Sequence, residues 1–277
     1  MKSNYRYIVK AFMAMAVIAG TTSCDDFLDR EPMSSISPET YYSTAAQLEA
    51  NLNDEYPNVL PSFGQWTYGI FGEDKGTDNQ IEVNANDRYT QDRWKVPHSE
   101  SDNWKFERIY RINFFLSEAL PKFGEDMSGS QNTISGSVAT IKHYIGEMYF
   151  LRAYEYFKKL QLFGDFSIIN QPLADEMEAL REASKRFPRN EVARFIISDL
   201  DKAYAYMSDV DMATTRINKD AAMLVKSRVA LFEATWLQNF KGTAFVPGGE
   251  GWPGASLHNN YQYPSGNLDN EVKYFLE

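Results

Sequence analysis

The chain has 277 residues, with 28 Lys+Arg against 38 Asp+Glu, a formal net charge of −10 and a single cysteine. So acidic a surface repels phosphate backbones, which argues against nucleic acid as a partner. One cysteine excludes an internal disulfide, so a sizeable apolar core must hold the fold together. Most of the 5 Trp, 17 Tyr and 18 Phe belong to that core, but several lie in polar loops.

In chain order, Lys2, Arg6 and Lys10 precede an apolar stretch from Ala11 to Gly20, and Thr21, Thr22 and Ser23 lead into Cys24. Residues 1–23 read as an export signal, too short to span a bilayer as a helix. A cysteine at its end is the pattern of a bacterial lipoprotein, in which the thiol receives a lipid and becomes the mature N-terminus. The usual box has Leu where Thr21 stands, and the alternative reading is a secreted chain with a free thiol. Residues 1–23 hold three basic and no acidic residues, so residues 24–277 carry a net charge of −13. Residues 24–40, acidic and then Ser/Pro-rich, read as an extended tether, followed by one large region over 41–277.

Leu48, Leu52 and Tyr56 recur at helical spacing, predicting a helix from Ser43 to Leu60 with Ser43 or Thr44 as N-cap and Pro57 and Pro61 as its close. Residues 61–100 show no period and are punctuated by Gly64, Gly69, Gly72, Gly76 and Pro97. An irregular stretch of that length is more often functional than not. A second helix is predicted from Asp102, with a stripe of Trp104, Ile109, Ile112, Phe115, Leu116 and Leu120, ended by Pro121 and Gly124. After a Gly/Ser/Asn linker, the longest helix runs from Val138 to Phe163 and stops at Gly164. Phe166–Leu173 reads as a short extended piece. Helices follow near Glu191–Met207 and Lys219–Phe240, then a Gly/Pro/Asn-rich loop over 241–268, and Asn270–Glu277 begins a further helix. The sequence stops there in mid-period with no cap, which reads as the N-terminal portion of something longer. Paired helices with alanine and aromatic contacts predict a mostly α fold, an α-solenoid of tetratricopeptide type.

Four pieces then resemble the SusD/RagB family of outer-membrane glycan-binding lipoproteins. They are Cys24-Asp-Asp-Phe-Leu-Asp29 with Pro32; Trp104-x5-Tyr110-x-Ile112-Asn113; Glu147-Met-Tyr-Phe-Leu-Arg-Ala-Tyr154 running into Lys159-Leu-Gln-Leu-Phe-Gly-Asp165; and Ala221-x2-Leu224-x3-Arg228-Val229-x-Leu231. The resemblance implies tetratricopeptide-like helix pairs on one side, with irregular loops and a few short strands building a glycan site on the other. It also implies a lipid anchor on Cys24, exposure at the outer-membrane surface, and a SusC-like TonB-dependent transporter as partner, to which captured oligosaccharide is handed. Family members are about twice this length and draw their sites from both halves.

Within the chain, the loop at 64–98 is the best candidate for ligand contact. Trp66, Tyr68, Tyr89 and Trp94 supply flat faces for stacking on a pyranose, and Asp74, Asn79, Arg88 and Arg93 supply hydrogen-bonding groups for its hydroxyls. Tyr149, Phe150, Tyr154 and Phe157 read as core, and Arg152 as paired with a carboxylate or carbonyls. Catalytic readings find little support. Gly249-Glu-Gly251-Trp-Pro-Gly254 matches a dinucleotide fingerprint literally, but no strand precedes it and Pro253 denies it a helix, so it reads as a turn. His98, His143 and His258 lack metal-ligand spacing, no carboxylate pair stands out for glycoside hydrolysis, and no cofactor is expected. The sequence therefore predicts oligosaccharide binding without turnover. A helical-repeat protein scaffold is the alternative, and a glycoside hydrolase a weaker one.

Overall fold

The structure, a computed structural model, describes residues 41–61, 80, 103–124, 126–208 and 215–277. The chain divides into two units, Met1–Tyr41 and Tyr42–Glu277, and every element below belongs to the second. Seven α-helices are described: α1 (Ala45–Val59), α2 (Glu107–Phe123), α3 (Val138–Phe163), α4 (Met177–Ala183), α5 (Arg189–Tyr206), α6 (Lys219–Asn239) and α7 (Leu268–Leu276), with a 3-10 turn at Pro253–Ser256. None of them is long and apolar enough to cross a membrane.

The predicted helices are present, with boundaries corrected by local chemistry. Thr44 is the N-cap of α1 and forms a reciprocal capping box with Gln47. Pro57 lies inside α1 rather than closing it. In the last turn a proline removes only the bond to the carbonyl four residues back, and the Leu60 N–H closes the helix on the Tyr56 carbonyl at 2.9 Å. Likewise Pro121 lies within α2, which begins at Glu107, so Trp104 precedes the helix. The short α4 was not expected: its seven residues bury none of their side chains and so carry no apolar stripe. The few short strands reduce, among the described residues, to isolated bridges. Phe166 and Phe187 exchange N–H···O bonds of 3.1 and 3.0 Å, and Thr44 bridges Ser135.

Helix α3 is the axis of the unit. It buries residues around most of its circumference, from Ile141 to Leu160, because α1, α2 and α5 all pack on it. Side-chain pairs fix the directions. Arg152 meets Asp199 while His143 meets Ser208, so α3 and α5 are antiparallel. Arg189 meets Glu233 while Asp201 meets Lys226, so α5 and α6 are antiparallel too. This is the tetratricopeptide-like pairing that the sequence predicts. The two helices pack tightly at Gly146, where a Cβ would stand 2.9 Å from the Ala203 carbonyl oxygen and the Met207 amide nitrogen.

Buried charges join the helices. Glu147, fully buried on α3, accepts from Arg216 Nε at 2.8 Å, Arg216 Nη2 at 2.9 Å and the Tyr56 hydroxyl at 2.6 Å. Burial and the Glu147 carboxylate push the Tyr56 phenol up. His143 Nδ1 accepts from the Ser208 amide, so Nε2 carries the hydrogen and faces the Ile217 carbonyl at 3.0 Å and Glu147 at 2.9 Å. Glu271 on α7 accepts from Arg194, Asn190 and the Ser265 amide. Burial pushes its carboxyl up, and these hydrogen bonds outweigh that and hold it below the usual range.

Candidate functional site

Cys24 and the candidate contacts Trp66, Tyr68, Asp74, Asn79, Arg88, Tyr89, Arg93 and Trp94 lie outside the described residues, as does His98. What the structure describes is the framework on either side of that stretch. At its N-terminal side, Lys158 Nζ donates to the Val59 carbonyl at 2.8 Å; at its C-terminal side, Lys159 Nζ donates to the Asn103 carbonyl at 2.7 Å. Both lysines pair with the buried Glu155 one turn earlier on α3, at 2.7 and 3.3 Å. The i, i+3 and i, i+4 spacing puts the three on one face of the helix, so a single turn of α3 clasps both ends.

Immediately beyond, Trp104 packs edge-on against Phe163 and Phe166 with centroids 4.8 Å away, and the Arg186 guanidinium lies 4.5 Å over its ring. Beyond the Phe166–Phe187 bridge, segment 167–173 is tied down by side chains. The Tyr156 hydroxyl both receives the Ile169 N–H at 2.8 Å and donates to its carbonyl at 3.0 Å. Asn113 donates to the same carbonyl at 2.8 Å, and Arg152 donates to Asn170 at 3.1 Å. Arg152 is otherwise spent on Asp199, at 2.6 and 2.8 Å, and on Asn113 at 2.9 Å, so it is the paired structural arginine that the sequence predicts. Tyr149, Phe150 and Phe157 are core; Tyr154 is half-buried, stacked on Phe150.

A cleft of about 570 Å³ opens where the end of α3 meets the start of α5, the end of α6 and the loop after it. Sequence reasoning passed over it. Its walls bring together Phe163, Arg186 and Trp236 with Phe245 and Trp252 of that loop, residues that only tertiary packing makes neighbours. The available signal was compositional: 241–265, like 64–98, sets aromatics among Gly, Pro and Asn. Asp165 accepts from Trp252 Nε1 at 2.8 Å and from the Arg189 amide at 2.9 Å. Burial raises its carboxyl despite those bonds. Gly254 lies flat on the Trp252 indole, where a Cβ would stand 2.2 Å from a ring carbon, so the Gly-x-Gly-x-x-Gly stretch is a packed turn. Among the described residues, no three His, Cys, Asp or Glu side chains are grouped so as to hold a metal ion.

Comparison with known proteins identifies the family. A family model described as SusD-like, starch-binding and associating with outer membrane matches residues 26–231. Two SusD-like proteins of Formosa agariphila are 25% and 24% identical to the chain, over 77% and 87% of it and 41% and 46% of their own lengths. The chain thus spans less than half of these curated relatives. Among solved structures, a laminarin-binding SusD-like protein aligns at TM-score 0.37 and 20% identity over 48% of this chain and 26% of its own. A SusD-like carbohydrate-binding protein from Bacteroides vulgatus aligns at TM-score 0.47 and 15% identity over 70% and 43%. The described residues form a mostly helical unit, and the chain belongs to the SusD-like family, whose model covers most of it.

Proposed function

We propose that this chain is the glycan-capturing, N-terminal part of a cell-surface lipoprotein. It is anchored in the outer membrane through Cys24 and hands oligosaccharides to a SusC-like TonB-dependent transporter. The observation that carries the reading is the family match across 26–231, a family named for starch binding and association with the outer membrane. Residues 64–98 carry the ligand contacts: Trp66, Tyr68, Tyr89 and Trp94 stack on sugar faces, while Asp74, Asn79, Arg88 and Arg93 take hydroxyls. The clasp formed by Lys158, Lys159 and Glu155 supports this assignment, since it gives the ends of that stretch a fixed platform. The chain binds and does not cleave, and no cofactor takes part.

A glycan array on the chain, with product analysis of every hit, tests the binding claim. Binding is expected in the micromolar to millimolar range, about −8 to −4 kcal/mol, weakened in Trp66→Ala or Trp94→Ala, with no shorter sugars released. Shorter products at enzymatic rates would refute it. Anchoring is tested by fractionating cells that make Cys24→Ala, which should lose its membrane association; an unchanged membrane fraction refutes the lipid anchor. Recovery of a TonB-dependent transporter with the affinity-tagged protein tests the partnership.

A further inference from the structure

We propose that the cleft at the ends of α3 and α6 is a saccharide subsite built from residues that the 64–98 stretch does not contain, with Phe245 stacking on a neutral pyranose and Arg186 hydrogen-bonding its hydroxyls. The ligand class rests on the glycan reading above; the position does not.

The loop that carries Phe245 is held from several sides. Trp236 Nε1 donates to the Phe245 carbonyl at 3.0 Å, Thr243 donates to the Phe240 carbonyl at 2.8 Å, and the Tyr263 hydroxyl donates to the Pro247 carbonyl at 2.6 Å. The same loop buries Val246 and Trp252 almost completely, yet leaves Phe245 61% exposed. Leu162 and Leu257, on the same walls, are 58% and 54% exposed. One exposed apolar side chain is ordinary; three around one concavity, one of them a ring on a well-tied backbone, form a surface that the fold itself does not use.

The polar groups of the cleft divide into spent and available. Arg189 is buried and turned away to Glu233: its Nε and Nη2 make three contacts of 2.8 to 3.1 Å with that buried carboxylate, and its guanidinium covers one face of Trp236 at 4.0 Å. Asp165 is also spent, with one oxygen on Trp252 and the other on the Arg189 amide. Arg186 is available. Its guanidinium rests on Trp104, it is exposed, and no carboxylate among the described residues pairs with it. With its guanidinium carbon 4.5 Å over the Trp104 ring and no paired carboxylate among the described residues, Arg186 keeps N–H donors for two vicinal oxygens.

An open aromatic face beside an unspent fork, in a cleft whose volume falls within the usual range for ligand sites, matches a sugar ring with its apolar C–H face and hydroxyl edge. The net charge of −10 favours a neutral sugar over a polyanion. Asp165 is the one acid among the described residues lining the cleft, and glycoside hydrolysis requires a pair of opposed carboxylates. The subsite therefore binds and does not cut.

The test titrates the 277-residue chain with neutral hexasaccharides (α-1,4-glucan, β-1,3-glucan, β-1,4-glucan and β-1,4-xylan) by calorimetry. Phe245→Ala, Arg186→Ala and Trp94→Ala are measured in parallel, each with its thermal melting curve. Both cleft variants should melt as wild type, since their side chains are exposed, and should bind about tenfold more weakly, about 1.4 kcal/mol. If Trp94→Ala alone weakens binding, the subsite is overturned and the 64–98 assignment stands. If the cleft variants weaken binding and Trp94→Ala does not, the subsite stands and that assignment falls. If no sugar in the panel binds, both fall. Loss of transporter recovery in Phe245→Asp with sugar affinity unchanged would make the cleft a protein contact and overturn the subsite.

Discussion

Replacing Arg152 by Met removes one guanidinium and leaves several groups without partners. The methionine keeps most of the aliphatic stem between the rings of Tyr149 and Phe195, which flank the guanidinium at 5.2 and 5.3 Å. It supplies none of the donors that reach Asp199, Asn113 and Asn170. Asp199 is fully buried, and its remaining cation, Lys202, stands 3.6 Å away with its side chain 42% exposed. Breaking a buried ion pair by removing one member costs about 3–5 kcal/mol, because the partner is left charged and dry. For a domain of this size each kcal/mol lowers the melting temperature by about 2–4 °C, so Arg152→Met should melt roughly 6–20 °C below wild type. Circular dichroism on heating and urea titration followed by tryptophan fluorescence both read this. The double variant Arg152→Met/Asp199→Leu should recover most of the loss, since an apolar pair of similar volume avoids the stranded charge. A single variant within about 1 kcal/mol of wild type, or a double variant no better than the single, would refute the assignment of Arg152 as the pin between α2, α3 and α5.

Gly146→Ala should destabilise by about 1–3 kcal/mol through overpacking against the Ala203 carbonyl and Met207, despite a gain of about 1 kcal/mol in helix propensity; a variant as stable as wild type in urea would show that α3 and α5 can part at little cost. Glu271 has its carboxyl held below its ordinary value of 4.5, so its contribution is present above that pH and is lost as pH falls through the folded value. The melting-temperature gap between wild type and Glu271→Gln should accordingly be steady near neutrality and close in acid, and a gap that persists undiminished in strong acid would contradict this. Lys158→Met/Lys159→Met releases Val59 and Asn103 from α3. Sugar affinity should fall roughly tenfold through lost preorganisation with helical content unchanged, and unaltered affinity would remove the clasp from the binding argument.

The fold was legible wherever one apolar period ran long enough. Helix α3 was located from Val138 to the Gly164 stop, and α5 and α6 to within two residues, because their buried side chains recur with helical spacing. Pro57 and Pro121 misled because a proline reads locally as a terminator, while the last turn of a helix has few bonds left for it to remove. Helix α4 had no signal to give, since its surface meets solvent. Arg152 was legible as a paired residue from its place on a buried helix, although its partner Asp199 was not. The cleft had only the compositional signal of 241–265: Arg186 and Phe245 are unremarkable one by one, and the antiparallel return of α5 and α6 sets them around one opening. The expected contacts at 64–98 lie outside the described residues.

The clasp on α3 also bears on how such a chain can diversify. Lys158 and Lys159 are consecutive, and they hold the carbonyls of Val59 and Asn103, so adjacent residues of one helix anchor two backbone positions far apart in the sequence. For a flexible segment with both ends fixed, doubling the number of residues raises the entropic cost of closure by only about 0.6 kcal/mol. That is less than the cost of a single misplaced core side chain, such as an added methyl at Gly146. The distance between those two anchored carbonyls is therefore set by one turn of α3 and not by the number of residues that separate them in the sequence.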